Sequence, residues 1–169
     1  MSARDDILAA IRSAAVPPAP AALPLSPMVH ESIEGLRSRF LAVLETVGGQ
    51  GMVHSAGQPL DALLNELLGE DRAEAMIIRG RFAVAENGAV YVDAADLNAR
   101  NDVVRAEHLV VIVPVDAVVP TMHEAMRLIP PESTCGWFLS GPSKTADIEQ
   151  SLVVGAQGSR THRVVFGRD

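Results

Sequence analysis

Cysteine is almost absent from this 169-residue sequence, where Cys135 stands alone. One thiol excludes an intramolecular disulfide, a cysteine-built zinc site and a self-contained iron–sulfur cluster. Aromatic residues are scarce too, at 4% with one Trp and one Tyr, so the core must come from Val, Leu, Ile, Ala and Met, with little left for stacking bases. Positive charge is outweighed: 14 Lys and Arg against 21 Asp and Glu give a net charge of −7, and no basic run makes a local exception. Phosphate backbones and anionic membrane surfaces repel such a chain, so neither nucleic acid nor a membrane is an expected partner. Long apolar runs are missing as well. Leu109-Val110-Val111-Ile112-Val113 falls far short of the ~20 residues that span a bilayer. The opening MSARDDILAAIRSAA puts acids where a secretion signal needs bases, and no apolar signal core follows. Cytoplasm is the expected compartment.

What is present reads as one α/β domain with a leading appendage. Hydrophobic residues make up 48% of the chain and mean hydropathy is +0.19, well outside the regime of disorder. Ser2, Asp5 and Asp6 open a helical pattern with Ile7, Leu8 and Ile11 on one face, which must stop before Pro17. The Pro/Ala-rich stretch up to Pro27 reads as an extended linker. Residues 1–27 are therefore set apart from a domain over 28–169. The apolar face of the leading helix needs a partner, either its own domain or a neighbouring copy in a homo-oligomer.

Within the domain, Ile33, Leu36, Phe40, Leu41 and Leu44 recur at helical spacing, predicting a helix over Val29–Val47 that Gly48-Gly49 ends. A strand at Met52–His54, a helix at Leu60–Leu68 and a strand at Met76–Ile78 follow. Asn87-Gly88 predicts a hairpin turn between two short β-prone pieces. His108–Pro114 (HLVVIVP) is a β-branched run of the kind buried on both faces of a parallel sheet. A helix over Thr121–Ile129, a strand over Cys135–Leu139, a helix over Thr145–Val154 and a strand over Arg163–Phe166 complete the reading. Strands alternating with helices predict a mostly parallel sheet covered by helices.

Chemistry concentrates in FLSGPSKTADIEQSLVVGAQG, Phe138 to Gly158. A strand running into a glycine turn and then a helix is where α/β proteins hold ligands, beyond the carboxyl ends of the strands. Backbone N–H groups there, with Lys144 and the Ser143 and Thr145 hydroxyls, could hold a carboxylate or phosphate; the same residues equally suit a well-capped helix after a tight turn. It is not a Walker loop, because the spacer and the glycine before the lysine are missing. His30, His54, His108, His123 and His162 show no metal-ligand spacing, and no metal site is expected. Asp93, Asp96, Asn98, Asn101 and Asp102 read as a solvated loop, and Cys135 as a buried, inert strand residue.

SGPSKTADIEQSLVVGAQG closely resembles the C-terminal signature of the lactate-utilisation protein C family, matching at Ser140 to Ser143 and at Thr145 to Glu149. The family's His-Gly-Pro is here Gln157-Gly158-Ser159. AVAENGAVYV, Ala83 to Val92, resembles the family's Ala-Glu-Thr-Gly-Thr segment, with Glu86 and Gly88 kept and Asn87 and Ala89 in place of two threonines. The resemblance implies a Rossmann-like fold similar to ribose-phosphate isomerase, glucosamine-phosphate deaminase and coenzyme A transferases.

It also implies a function in oxidising L-lactate to pyruvate beside two iron–sulfur lactate-utilisation proteins. No cofactor would belong to this chain, and the clusters would sit only in those partners. The leading expectation is a non-redox subunit or accessory factor binding a small anion, with Ser140, Gly141, Ser143, Lys144 and Thr145 as a cradle and Asp147 and Glu86 facing the same crevice. A free-standing enzyme on a sugar phosphate or coenzyme A thioester is the alternative, with Glu86 as its base or nucleophile. A non-catalytic scaffold is a third.

Overall fold

The computed structural model describes residues 3–14, 31–55, 57–98, 102–145, 153–155 and 158–167. The chain divides into two compact units, 1–30 and 31–169. In the first, α1 spans Ala3–Ser13 with Asp5 and Asp6 in its first turn and Arg12 in its last, the charge order its dipole favours. None of its residues is buried, and the predicted linker lies outside the described residues.

The second unit is built around a four-stranded sheet in which every pairing is parallel. Its strands are β1 (Gln50–Val53), β2 (Ala75–Arg79), β5 (His108–Pro114) and β10 (Thr161–Gly167), in the order β1-β10-β5-β2. A second four-stranded sheet combines β3 (Phe82–Val84), β4 (Ala89–Asp93), β6 (Val118–Val119) and β7 (Gly136–Leu139) in the order β6-β3-β4-β7. There β4 runs antiparallel to both β3 and β7, and β3 runs parallel to β6. The helices are α2 (Ile33–Thr46), α3 (Leu60–Leu68), the single turn α4 (Asp102–Arg105) and α5 (Met122–Leu128). No helix among the described residues is long and apolar enough to cross a membrane.

Period-two alternation along the strands assigns each side chain to a layer. Val110 and Val165 face α3, packing with Leu64 and Leu68. Leu109, Val111, Val113, Val164 and Phe166 face the other way, into the main core shared with Leu36, Phe40 and Leu44 of α2 and with Ala83, Val90 and Val92 of the second sheet. The far face of that sheet, with Phe82, Val84 and Tyr91, is closed by Ala125 and Met122 of α5. The order of layers is thus α3, parallel sheet, α2 with the second sheet, and α5. Gly80 joins the sheets at a point with no room for a side chain: a Cβ there would lie 2.3 Å from Val90 Cγ1 and 2.9 Å from Val111 Cγ1.

The expected α/β class with a mostly parallel central sheet and flanking helices is observed, and HLVVIVP forms its strand on the predicted residues. The β3–β4 connection is the predicted hairpin, closed by four residues rather than two, since Val84 pairs with Ala89. The helix predicted over Thr145–Val154 is a correction. Lys144–Thr145 and Val153–Val154 are the strands β8 and β9 of an antiparallel ribbon, with Lys144 opposite Val154. The hydroxyls and acids of this segment suit a helix start, but cross-strand pairing decided these ends. Residues 146–152 lie outside the described set.

Candidate functional site

Of the residues singled out in the sequence, Gly141 and Lys144 meet the carboxyl-terminal end of α2. Gly141 has a φ of 72°, and a Cβ there would come within 2.5 Å of the Val47 carbonyl oxygen. Only glycine combines that left-handed backbone with so close an approach. Lys144 Nζ donates to the same Val47 carbonyl at 2.6 Å, placing a cation at the helix C-terminus where the dipole favours it. Ser140 Oγ donates to the Asn87 carbonyl at 2.8 Å, tying this segment to the β3–β4 turn. Ser143 is bonded through its backbone to Ser159 and Gly155.

Two premises of the cradle are therefore corrected. The strand before the glycine turn is β7, which belongs to the second sheet and not to the parallel one. No helix starts at Thr145, which lies in β8, so the expected dipole end is missing there. Asp147 lies outside the described residues.

Glu86 stands in the β3–β4 turn as expected, but its carboxylate points to α5. Met122 N–H donates to Glu86 Oε2 at 2.8 Å, and Thr121 Oγ1 accepts from Glu124 N–H, so the two residues cap the start of α5 together. The Asn87 segment and Ser140 are brought together; Glu86 is not directed at them.

Behind this clasp lies His162, 1% exposed, with neither ring nitrogen hydrogen-bonded among the described residues. Burial lowers its pKa below the ordinary value, and the neighbouring Gly141 backbone partly opposes the shift. A neutral imidazole is the form this site accepts.

The opposite end of the parallel sheet carries an open crevice of about 770 Å³. It lies beyond the carboxyl ends of β2, β5 and β10, the place where parallel α/β sheets bind ligands. Arg79, Gly80 and Arg81 line one side, Pro114, Val115 and Asp116 another, with Ile112, Gly167 and Asp96 completing it. Arg81 is held rigidly. Its Nε lies 2.6 Å from Asp96 Oδ2 and its Nη1 3.4 Å from Asp93 Oδ2, and these carboxylates raise its pKa, the Asp96 hydrogen bond most.

Asp93 is no loop residue in water, as the sequence suggested; it is 3% exposed. It accepts from Ala95 N–H at 2.9 Å and lies 3.4 Å from the Tyr91 hydroxyl. The Ala95 bond is the largest of the influences that lower its pKa, followed by Ser133. A smaller pocket of about 230 Å³ adjoins it, lined by Arg81, Glu132 and Ser133 among others. Cys135, half-buried, precedes β7 rather than lying in it.

Comparison with known proteins assigns this architecture. The sequence profile of the LUD domain matches residues 70–166. The chain belongs to the LUD-domain family. Lactate utilization protein C 1 of Bacillus mycoides is 38% identical over 82 residues, covering 44% of this chain and 35% of that protein. Lactate utilization protein C of Oceanobacillus iheyensis is 31% identical over 103 residues, 56% of this chain and 43% of that one. The Geobacillus kaustophilus protein of the same name is 35% identical over 100 residues, 52% and 40%. The matched stretches thus span about two-fifths of these relatives' length. A crystal structure of a DUF162 family protein from Deinococcus radiodurans superposes with a TM-score of 0.56 at 16% identity, covering 82% of this chain and 99% of that one. At that identity the likeness concerns the fold.

In this LUD domain the crevice residues Arg79, Arg81 and Asp116 went unnoticed in the sequence. Their signal was there: Arg79 ends the apolar strand β2, and Arg81 and Asp116 each stand two residues beyond the end of a strand, in Ile77-Ile78-Arg79-Gly80-Arg81 and in Val113-Pro114-Val115-Asp116. Charged residues following a parallel strand face the crevice that the strand ends create.

Proposed function

We propose that this LUD domain is a non-redox component of an L-lactate-oxidising system and holds a small carboxylate in the crevice beyond β2, β5 and β10. The observation that carries the reading is the crevice lining. Arg79 and Arg81 line it beside an apolar surface of Ile112, Pro114 and Val115, with the Arg81 guanidinium held by Asp96 and Asp93. A short hydroxy or keto acid suits such a lining, its anionic head beside Arg79 and its apolar body on Ile112, Pro114 and Val115. The names of the curated relatives support the pathway. In this reading the single cysteine leaves iron–sulfur chemistry to partner proteins. The Ser140–Lys144 segment, with the Ser140 hydroxyl engaged by Asn87 and the Lys144 ammonium by Val47, serves to clasp α2.

The volume of the crevice favours one other reading. A space of about 770 Å³ exceeds a three-carbon acid several-fold and suits a sugar phosphate or an acyl thioester. Both readings meet one experiment: backbone amide NMR of the 15N-labelled protein titrated with L-lactate, with uncharged lactamide, and with acetyl-coenzyme A. Saturable shifts at Gly80, Asp116 and Gly167 with lactate but not lactamide, weakened about tenfold or more in Arg79→Gln, are the expected result. Shifts with acetyl-coenzyme A alone would favour the second reading. No shift at these amides with any of the three would overturn both.

A further inference from the structure

We propose that Glu74, Glu107 and His108 form a binding site for a divalent cation of the zinc class, at the end of the parallel sheet opposite the crevice. The register of the sheet creates the site. Ala75, His108 and Thr161 are paired across β2, β5 and β10, so the residues preceding them, Glu74, Glu107 and Arg160, fall in the adjoining row at the amino ends of the strands. One nitrogen or oxygen from each of Glu74, Glu107 and His108 lies within 4.8 Å of the others. Along the chain Glu74 is far from the other two, which is why histidine spacing gave no sign of it.

The imidazole is what distinguishes this group from an ordinary acidic surface. His108 is 8% exposed, and its Nδ1 lies 2.9 Å from Thr161 Oγ1. With Nδ1–H donated to that hydroxyl, the ring is held and Nε2 keeps its lone pair for a metal ion. Such an outer hydrogen bond sets the tautomer and orientation of metal-ligating histidines. Nε2 makes no hydrogen bond among the described residues; its ion-pair contact, Asp71 Oδ1, stands at 3.8 Å. A lone pair facing carboxylates is repelled by them unless a proton or a metal ion lies between, and the test below separates the two.

Charge supports the same conclusion. Asp71, Glu74 and Glu107 bring three negative charges to the group, and Arg160, 2.5 Å from Glu107 Oε1, returns one positive charge. Arg72, next to Asp71 in sequence, is turned away to Asn65 and Asp61. Arg163, whose Nη1 donates to Thr161 Oγ1 at 3.3 Å, returns a second positive charge, so the group stays net negative and favours a cation. One imidazole nitrogen and two carboxylates suit zinc better than the all-oxygen preference of calcium or magnesium. Bonds of about 2.1 Å in a tetrahedron bring ligand atoms about 3.4 Å apart. The two surface glutamates would close on the fixed histidine to reach that spacing, and water would complete the shell.

The test uses the untagged full chain, stripped with chelator and titrated with zinc chloride by calorimetry, beside Glu74→Gln and Glu74→Gln/Glu107→Gln. Both glutamates are surface carboxylates, so these variants keep the fold where a change at His108 could lose it. One equivalent bound by the wild type, about tenfold or more weaker in the single variant and lost in the double, is expected. On the same titration the His108 Nε2 15N resonance should move to the metal-bound position. Absence of a one-to-one event, or equal affinity in the double variant, overturns the proposal. So does an Nε2 that keeps a proton throughout, which would make His108 an imidazolium partner of Asp71.

Discussion

Replacing Gly80 by alanine tests whether the two sheets meet as tightly as their packing indicates. The added Cβ would stand 2.3 Å from Val90 Cγ1, 2.9 Å from Val111 Cγ1 and 3.1 Å from Val113 Cγ2. Val90, Val111 and Val113 are fully buried, and β-branched chains have few rotamers with which to move aside. Overpacking of this kind costs about 1–3 kcal/mol, while losing glycine's freedom in the unfolded chain returns roughly 0.4–1 kcal/mol. The net expectation is a destabilisation of about 1–2 kcal/mol, or a urea midpoint lower by roughly 0.5–1 M for a slope near 2 kcal/mol/M. Val90→Ala alone should cost about 2–3 kcal/mol through two lost methyl groups and the space they leave. Combined, the two changes should cost less than their sum by about 1–2 kcal/mol, because the alanine at 80 occupies what Val90 vacates. Urea unfolding of the four proteins measures the cycle. Additivity within about 0.5 kcal/mol would show that Gly80 and Val90 do not press on each other, and the reasoning would fail.

Two further outcomes follow from the clasp around α2. His162 is held neutral by burial, so below its ordinary value near 6.5 the unfolded chain takes up a proton that the folded one refuses. Stability should therefore be full above that pH and fall as pH drops through it, by at most about 1.4 kcal/mol per unit. His162→Leu should flatten this slope in denaturation curves recorded between pH 7 and 5; an unchanged slope would assign it to other groups. Lys144→Ala removes the cation from the Val47 carbonyl and should lower stability by about 0.3–1 kcal/mol, with the difference shrinking at high salt. An equal loss at all salt concentrations would argue against the dipole account.

How much of this was legible beforehand depended on whether the deciding interaction was local. HLVVIVP announced a strand buried on both faces, and Thr121 with Glu124 announced the start of α5. In both, neighbours in sequence carry the signal. Lys144–Thr145 misled for the converse reason: its hydroxyls and acids satisfy helix-start rules, yet its pairing partner is Val153–Val154. The two-residue strand β6 is fixed by β3, more than thirty residues away, and has no periodicity to detect. Asp93 looked like a solvated loop residue because nothing nearby in sequence reveals Arg81 and Ser133 closing over it. The crevice draws on residues 79–81, 96, 112, 114–116 and 167, brought together by strand pairing across the fold and not by nearness in sequence. Glu86 was placed in the right turn but given the wrong task, since its partner on α5 is 36 positions along the chain.

The position of β10 between β1 and β5 has a consequence for how the domain is made. Within the sheet β1 bonds to β10 alone, and the pairing bridges 113 residues, from Gln50 to Arg163. While the chain is being synthesised, β5 and β2 can pair, but β1 has no neighbour and β5 presents a bare apolar edge until residues 161–167 have left the ribosome. Closing so long a loop before any reward is a slow step, and an unpaired edge of Val and Ile invites association with other chains meanwhile. This LUD domain should therefore acquire its central sheet only after β10 emerges, and it should depend on dilution or a chaperone more than its modest size suggests.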